Sequence, residues 1–371
     1  MMIKQIHIEG YRSIRELSLP LHPVNVLVGP NGCGKTNLYR ALLLLSKAAK
    51  GEFASSIIYE GGMPLALWAG EKRHSDTKRT PRRIKLAVSF EELSYELHAG
   101  LTPKTPANTC FEFDPVFREE YVWLKAKRRQ NNTLLTRKAT SVWLTHADRK
   151  RYEYPVTLLP SESVLSQLQE PHLYPELFTL RELLLQWRFY HYFDTGPPAA
   201  VRQPQVGTLT PVLSHNGNDL AAALQTIIET GDESTLHEII ETAFPDSRLL
   251  ILPNHGRFAI YLQKDGIRRP FEARELSDGT LRFLCLTAAL LSPRPPSLLA
   301  LNEPETSLHP DLLPALTLLI GHAAKYSQLF ITTHSYSLAE VIADLCNTQP
   351  IILEMLDGET RWVNEPIAMN T

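Results

Sequence analysis

The stretch Gly29-Pro30-Asn31-Gly32-Cys33-Gly34-Lys35-Thr36 decides the fold of this chain. It follows the apolar run Val24 to Val28 and leads into Thr36 to Ala49, whose apolar positions suit a helix. A strand, a loop with the spacing GxxxxGK[ST] and a helix, in that order, are typical of a phosphate-binding P-loop. A glycine-rich turn without a ligand is the alternative, and the flanking strand and helix argue against it.

The residue types of this loop suit a bound nucleotide and its metal ion. Glycines let backbone N–H groups surround phosphates without a Cβ in the way. Lys35 can neutralise charge on the β- and γ-phosphates, and the Thr36 hydroxyl can ligate Mg²⁺. The predicted nucleotide contacts are Asn31, Gly32, Cys33, Gly34, Lys35, Thr36 and Asn37.

A second polar cluster, Asn302-Glu303-Pro304, ends the apolar run Ser297 to Leu301. After such a strand in a P-loop protein, residue 302 helps to hold Mg²⁺ and its water, and Glu303 acts as general base or orients the attacking water. An aspartate is usual where Asn302 stands. Because the amide lacks the negative charge, we expect weaker Mg²⁺ binding or slower turnover. An ordinary buried strand ending in a turn is the alternative.

Two further motifs complete an ordered set of four. Leu276-Ser277-Asp278-Gly279-Thr280 opens the apolar run Leu281 to Leu291, so Ser277, Gly279 and a helix N-terminus can hold a γ-phosphate presented by another molecule. Thr332-Thr333-His334-Ser335 follows a strand, where His334 can contact the γ-phosphate and the attacking water. Taken singly, the first motif is a good N-cap and the histidine is structural. The order of all four motifs along the chain favours the nucleotide-binding interpretation of these two.

Hydrophobic periodicity organises both ends of the chain. Ile3 to Leu21 alternates apolar and polar residues around the turn Gly10 to Ser13, which predicts an edge hairpin. Strands at Ser297 to Leu301, Gln328 to Thr332 and Ile351 to Leu356, with helices between them, predict a parallel sheet.

The middle of the chain predicts a β-rich and helical insertion. Strand-like stretches at Arg83 to Leu97 and Tyr121 to Lys127 indicate a β-rich lobe. Thr195 to Pro211 reads as an irregular connector that forms a mobile surface loop. Asn218 to Thr230 and Glu233 to Ala243 are amphipathic helix candidates.

Composition excludes several classes of protein. The chain has 371 residues, 43% of them hydrophobic and 21% charged, which is typical of a globular protein of one composite unit or two connected lobes. The longest apolar runs, such as Phe283 to Leu291, are about half the length that spans a bilayer, and the N-terminus lacks a signal-peptide core. We therefore expect a cytoplasmic protein without membrane partners. Its four cysteines have no CxxC spacing, so neither zinc nor disulfides are expected.

One local patch is basic although the net charge of the chain is −2. Tyr121, Trp123 and Trp143 are interleaved with these basic residues, a pattern that suits nucleic-acid phosphates. A solvated lobe surface is the alternative, because glutamates such as Glu119 and Glu120 dilute the charge. The basic residues are Lys72, Arg73, Lys78, Arg79, Arg82, Arg83, Lys125, Lys127, Arg128, Arg129, Arg137, Lys138, Arg149, Lys150 and Arg151.

The four motifs resemble those of an ABC-type ATPase head of the RecF, RecN and SMC kind, and more narrowly of the stand-alone bacterial RecF-like AAA-type ATPases. The resemblance covers residues 3 to 45 and 275 to 337. It implies an α/β fold: a P-loop NTPase of the ABC-ATPase head type with an inserted β-rich and helical lobe. Residues 1–70 and 271–371 would form the head, and 71–270 the insertion, which partly completes the head. The 241 positions from Thr36 to Ser277 leave no room for a long coiled coil.

The resemblance also implies a mechanism with ATP and Mg²⁺ as cofactors. Two chains would enclose two ATP molecules, each held by one P-loop and the opposing Ser277 and Gly279, and the loop from Pro304 to Pro310 would cross the interface. The aromatic or arginine of the opening hairpin approaches the nucleotide in this family, which assigns Arg12 to the site. The implied catalytic residues are Glu303, Lys35 and His334, and the implied metal ligands are Thr36 and Asn302.

Four functions are compatible with these motifs. An ATP-gated homodimer associated with double-stranded DNA follows from the resemblance and the basic patch. The alternative is a regulatory or anti-phage-defence switch that acts on a separately encoded effector protein, because only 37 residues follow His334, too few for a fused nuclease domain. An ABC-transporter ATPase subunit is disfavoured by the basic lobe. A small-molecule kinase would have no use for Ser277 and His334.

Overall fold

The computed structural model describes residues 1–71, 81–101, 110–125, 127–146, 150–155, 158–168 and 170–363. The chain divides into two compact units. Unit 1 comprises Met1–His22, Leu27–Trp187 and Ile351–Thr371, and unit 2 comprises Pro23–Val26 and Arg188–Pro350. The predicted head (1–70 and 271–371) and insertion (71–270) have other boundaries than these two units. That assignment stays a prediction.

The described part of the chain contains both strands and helices. The strands are β1 (Gln5–Tyr11), β2 (Ile14–Pro20), β3 (Val24–Val28), β4 (Arg83–Ser89), β5 (Leu93–Leu101), β6 (Pro115–Leu124), β7 (Thr133–Lys138), β8 (Ser141–Thr145), β9 (Arg151–Glu153), β10 (Arg188–Tyr190), β11 (Gln205–Val206), β12 (Ser247–Asn254), β13 (Arg257–Lys264), β14 (Phe271–Glu272), β15 (Leu298–Asn302), β16 (Gln328–Thr333), β17 (Ile351–Leu356) and β18 (Glu359–Trp362). The helices are α1 (Lys35–Lys50), α2 (Phe53–Tyr59), α3 (Met63–Ala66), α4 (Val164–Gln167), α5 (Pro175–Leu185), α6 (Leu220–Thr230), α7 (Glu233–Ala243), α8 (Asp278–Leu290), α9 (Leu313–Ala323) and α10 (Tyr336–Leu345).

Unit 1 contains an eight-stranded antiparallel sheet in the order β2-β1-β4-β5-β6-β7-β8-β9. The opening hairpin is confirmed, and β2 lies at an edge of the sheet. Successive side chains of a strand point to opposite faces. Ile84 and Leu86 are fully buried, whereas Arg83 is exposed and Lys85 half-buried, so one face forms a core and the other is polar.

The P-loop lies in unit 1 between β3 and α1. All five residues of β3 are buried, as expected for a strand covered on both faces. Helix α1 ends at Gly51, whose left-handed φ of 83° suits glycine at the end of a helix. The helix packs against α2, α4 and α5. Strand β17 pairs in parallel with Leu27 and Val28 at the end of β3.

Unit 2 contains the parallel strands β10, β15 and β16 in that order. The beginning of β3 adjoins β16, since the Leu329 N–H donates to the Pro23 carbonyl at 2.8 Å. The predicted strands at 297–301, 328–332 and 351–356 correspond to β15, β16 and β17, and α9 and α10 lie between them in the chain. Strands β11 to β14 form a separate antiparallel sheet. Among the described residues, no helix has the length and apolar character needed to cross a membrane.

A buried ion pair fastens the core of the unit 1 sheet. Glu120 and Arg137 are 0% and 1% exposed, with Oε2 and Nη1 3.8 Å apart. Glu120 also accepts hydrogen bonds from the Tyr95 hydroxyl at 2.8 Å and the Val164 N–H at 2.9 Å. Burial and the neighbouring carboxylate raise the pKa of Tyr95, so its hydroxyl remains a donor. Arg137 is therefore a core residue and does not belong to the surface patch predicted from the sequence.

We predict that Glu120→Ala lowers the free energy of unfolding by about 3–5 kcal/mol, because it leaves the buried Arg137 guanidinium without its negatively charged partner. Urea denaturation monitored by circular dichroism measures the effect. Glu91→Ala removes an exposed glutamate from the same unit and should change the free energy by less than about 0.5 kcal/mol. Equal effects of the two substitutions would contradict this account of the core.

Candidate functional site

The P-loop wraps around the first turn of α1. Lys35, the first residue of the helix, is 3% exposed. Its Nζ donates to the Gly29 carbonyl at 2.7 Å and to the Pro30 carbonyl at 3.0 Å. The ammonium group is thereby held over the loop, where a charged phosphate oxygen would be a stronger acceptor than either carbonyl. Thr36 and Asn37 follow and are half-buried, and Asn31 and Gly32 are exposed.

Two glycines of the loop are required by close approaches of the chain. Gly34 has φ of 104°, and a Cβ there would lie 2.0 Å from Thr360 Oγ1. A Cβ at Gly29 would lie 2.2 Å from the Leu353 carbonyl oxygen. Both neighbours belong to the hairpin of β17 and β18, so the loop needs glycine for packing as well as for phosphate contact.

The turn between β1 and β2 lies against the start of α1. Ser13 Oγ accepts a hydrogen bond from Asn37 Nδ2 at 2.7 Å. Arg12, beside it, donates from Nη2 to Glu60 Oε2 at 2.7 Å, and Arg40 reaches the other oxygen of Glu60 at 3.2 Å. Arg12 is thus brought to the P-loop side of unit 1 but is held by a carboxylate.

The predicted metal ligand of unit 2 ends strand β15. Asn302 is 4% exposed, and its Oδ1 accepts a hydrogen bond from Thr332 Oγ1 at 3.0 Å. The two residues are direct neighbours in the parallel pairing of β15 with β16. This register places the carboxyl ends of both strands side by side, where ligands of open α/β sheets bind.

Glu303 and His334 lie at these adjacent strand ends and contact each other. His334 Nε2 is 2.6 Å from Glu303 Oε1, with the side chains 38% and 24% exposed. Glu303 has a left-handed φ of 51°, and its N–H donates to the Thr332 carbonyl at 2.9 Å. A histidine ring at this distance restricts the orientation of a carboxylate that is also open to solvent. The predicted catalytic pair is thus assembled within unit 2.

The signature turn, from Leu276 to Thr280, opens α8. Ser277 is the N-cap of the helix, and its Oγ accepts a hydrogen bond from the Thr280 N–H at 3.1 Å. A Cβ at Gly279 would lie 2.9 Å from the Ser307 carbonyl oxygen, so this glycine allows the loop after β15 to approach the helix. One turn further, Arg282 Nη2 donates to the Glu303 carbonyl at 3.2 Å. Helix α8 therefore connects Ser277 to the predicted pair of Glu303 and His334.

Arg202, from a distant part of the chain, donates hydrogen bonds to the signature turn. This residue is not among those predicted from the sequence. Its Nη1 donates to the Leu276 carbonyl at 2.7 Å and its Nη2 to Asp278 Oδ1 at 2.7 Å, on either side of Ser277. Further bonds reach the Ala273 and Arg274 carbonyls at 3.2 Å. The predicted irregular connector around it contains a short 3-10 helix, in which Val201 is fully buried. No local sequence pattern marks an arginine whose partners lie about seventy positions away.

The predicted site residues therefore fall into two groups. Unit 1 brings Arg12, Asn31 and the rest of the P-loop together with Asn37, and unit 2 brings Ser277 and Gly279 together with Asn302, Glu303 and His334.

The P-loop residues of unit 1 fit a nucleoside triphosphate. Helix α1 has 16 residues and no acidic side chain in its first turn, and its N-cap Gly34 places no side chain over the backbone N–H groups. A Cβ at Gly32 would meet no atom within 4 Å, so the loop is open there. The positive end of a long helix, a glycine loop and a lysine are suited to phosphate. The Thr36 hydroxyl is of the type that ligates Mg²⁺ beside such phosphates.

A P-loop between a buried strand and a helix, followed by a serine-capped signature helix, an acidic strand end and a histidine on the next strand, defines an ABC-type P-loop ATPase of the RecF and SMC kind. The chain belongs to the family described as "AAA domain, putative AbiEii toxin, Type IV TA system", whose model matches residues 24–340.

Solved structures show the same fold. The chain is similar to the Smc head bound to the C-winged helix domain of ScpA, with a TM-score of 0.55 and 15% identity over 98% of both chains. It is also similar to the Pyrococcus furiosus Smc head with an extended coiled coil, with a TM-score of 0.53 and 14% identity over 98% of this chain and 96% of the other. At this identity the likeness concerns the fold alone.

One curated relative is similar over a short stretch. The OLD nuclease of Thermus scotoductus is 41% identical over 44 residues, which are 12% of this chain and 8% of that protein. The match thus spans a small part of the nuclease.

We predict that Arg202→Leu loosens the signature turn, because the turn loses charge-assisted hydrogen bonds on both sides of Ser277. Amide hydrogen exchange at residues 276–280 should accelerate by at least about 10-fold, the equivalent of losing one such bond. Mass spectrometry of peptic peptides measures it. Arg274→Leu makes the same change at an exposed arginine of the same segment and should leave the exchange unchanged. Equal protection in both variants would mean that Arg202 does not hold the turn.

Proposed function

We propose that this ATPase binds MgATP through its P-loop and hydrolyses it with Glu303 as general base. The observation that carries the proposal is the 2.6 Å contact between Glu303 and His334 at two adjacent strand ends. Glu303 Oε1 accepts from the histidine ring, which leaves Oε2 to take a proton from water as the water oxygen attacks the γ-phosphorus. The bond to the bridging oxygen breaks, and ADP and phosphate leave.

The other residues supply charge and position. Lys35 neutralises the β- and γ-phosphates, and the Thr36 hydroxyl ligates Mg²⁺. Asn302 accepts a hydrogen bond from a water of the metal through its amide oxygen. Because this oxygen carries no formal charge, it attracts the cation less than an aspartate would. We therefore propose slow turnover.

We further propose that ATP gates a homodimer, in which Ser277 and Gly279 of one copy reach the γ-phosphate held by the other. The exposed position of Ser277 at the N-terminus of the 13-residue helix α8 supports this role. Such a helix end attracts anions. ATP then stabilises the dimer because it contacts both copies, and hydrolysis weakens that contact.

We propose that double-stranded DNA binds to a groove of unit 1 at one end of the sheet. Arg82, Arg83, Arg118 and Lys138 line a common groove with Glu119 as the acidic residue among its lining side chains. Glu119 is bound to Arg83, with Oε1 and Nη1 2.5 Å apart. Four basic side chains and one glutamate leave the groove with a net charge of +3. Such a charge suits the phosphates of a nucleic-acid backbone.

Backbone geometry directs Arg118 into this groove. The pairing of β5 with β6 is irregular between His98 and Ala99, whose partners are Glu119 and Phe117, so Arg118 is the extra residue of a β-bulge. A Cβ at Gly100 would lie 3.6 Å from Arg118 Nε and 3.7 Å from Arg83 Cβ, so the two arginines flank this glycine.

The patch at Lys127, Arg128 and Arg129 is a weaker candidate for DNA contact. Arg128 lies over the Tyr121 ring at 3.7 Å and pairs with Glu96 at 3.2 Å, so its charge is partly offset. Burial raises the pKa of Glu96, but the hydrogen bond from His98 and the charges of Lys85 and Arg128 outweigh it and lower the pKa to about 2. Of the other predicted basic residues, Lys72, Arg73, Lys78, Arg79 and Arg149 lie outside the described residues.

We predict that Glu303→Gln reduces ATP turnover by at least about 100-fold while leaving ATP binding intact, because the amide cannot take the proton from water. Phosphate release and binding of a fluorescent ATP analogue measure the two quantities. With saturating MgATP, the variant should be dimeric by light scattering. Turnover equal to that of the wild type would overturn the role of Glu303, and a monomer at every ATP concentration would overturn the gated dimer.

Asn302→Asp is the matched variant of the metal site. Restoring the carboxylate should raise turnover at limiting Mg²⁺ without changing the fold. Turnover that stays unchanged over a Mg²⁺ titration would show that the amide is not the cause of slow hydrolysis.

We predict that Arg82→Glu with Lys138→Glu weakens binding of linear double-stranded DNA and lowers the slope of log affinity against log salt by about two, since two phosphate contacts are lost. Fluorescence anisotropy at several salt concentrations measures both. Lys127→Glu with Arg129→Glu makes the same charge change at exposed residues outside the groove and should have a smaller effect. If neither pair alters DNA binding or if DNA leaves turnover unchanged, the effector-protein switch becomes the better candidate.

A further inference from the structure

Glu305, a second carboxylate of the loop after β15, contacts the backbone of the histidine segment, Thr332 to Ser335. Glu305 Oε1 accepts a hydrogen bond from the His334 N–H at 3.1 Å and from Thr333 Oγ1 at 2.5 Å. Thr333 Oγ1 in turn accepts from the Ser335 N–H at 3.0 Å. One carboxylate oxygen thus fixes three consecutive residues, from Thr333 to Ser335, at the start of α10.

His334 is therefore held at both ends by one short loop. Its ring meets Glu303, and its backbone N–H meets Glu305, two positions further along the same loop. The loop is folded back on itself, since the Thr306 N–H donates to the Glu303 carbonyl at 3.1 Å and the Leu308 N–H to the Glu305 carbonyl at 3.0 Å. With the ring contact alone, the backbone of His334 would be free to shift, and with it the distance to Glu303.

The other oxygen of Glu305 shows that packing alone does not explain the residue. Oε2 is buried and has no hydrogen-bond partner among the described residues. A buried carboxylate oxygen without a hydrogen-bond partner costs free energy, which the attraction between the charges of Glu305 and Arg282 offsets only in part. A carboxylate retained there at this cost is expected where the geometry of a neighbouring site depends on it.

We propose that Glu305 is a positioning residue for ATP hydrolysis, which holds the His334 backbone so that the ring meets the Glu303 carboxylate. This inference rests on the proposed function of Glu303 as general base. Glu305 acts through the backbone of His334. Its removal should lower the rate of the chemical step and leave the binding of ATP unchanged, because the P-loop contacts do not involve it.

The test compares Glu305→Ala, Glu305→Gln and Glu340→Ala. Glutamine keeps a carbonyl oxygen that can accept both hydrogen bonds, and Glu340 is an exposed carboxylate of helix α10 that follows the histidine segment. We expect Glu305→Ala to lower kcat by at least about 10-fold with unchanged KM, as for a small misplacement of a catalytic group. Glu305→Gln should retain most of the turnover, and Glu340→Ala all of it.

A double-mutant cycle separates positioning from general support of the fold. In a His334→Ala background, Glu305→Ala should cause no further loss of kcat if it acts only through the histidine. Additive losses would overturn the proposal, as would a fall in kcat that Glu305→Gln shares in full.

A readout that does not depend on hydrolysis distinguishes this inference from the proposed function. Amide exchange at His334 in the nucleotide-free protein should be faster in Glu305→Ala than in the wild type, and near the wild-type rate in Glu305→Gln. Absence of turnover in the wild type would overturn the proposed hydrolysis, and the positioning role with it, even with faster exchange. Normal turnover with unchanged exchange and unchanged kcat in Glu305→Ala would overturn the role of Glu305 alone.

Discussion

The parallel pairing of β15 with β16 is the constraint on which the proposed chemistry of unit 2 depends. It sets Asn302 beside Thr332. The first residues after the two strands, Glu303 and His334, are thereby brought into contact. Backbone hydrogen bonds fix this register, and each strand is buried. A shift by one residue would place Asn302 and the ring of His334 on the wrong faces. The 2.6 Å contact of His334 with Glu303 is thus a consequence of sheet register.

Hydrogen bonds at the ends of this pair of strands connect the remaining parts of unit 2. Arg282 ties helix α8 to the Glu303 carbonyl, and Arg202 ties the start of the same helix to a connector nearly eighty positions earlier in the chain. Glu305 adds the backbone of the histidine segment. A ligand that moves Ser277 would therefore act on Glu303 through a chain of direct contacts. In the proposed ATP-gated dimer, these contacts would connect the nucleotide state to the position of Glu303.

On the polar face of the unit 1 sheet, the pairing of charged side chains determines which surface stays positive. Its central basic residues share an acidic partner, since Glu96 pairs with Arg128, Lys85 and His98. The positive charge remains at the groove around Arg118. The distribution of partners, and not the count of basic residues, decides which surface can attract phosphates.

The sequence by itself determined the ATPase class, the hairpin and the strands around the motifs, because glycine spacing and hydrophobic periodicity are local properties. The P-loop from Gly29 to Thr36 and the histidine segment were recognisable for that reason. Tertiary structure alone decided the partners of Arg202 and Glu305, the burial of Arg137 and the groove at Arg118. These depend on segments distant in the chain, on strand register and on a bulge, none of which leaves a periodic trace in the sequence.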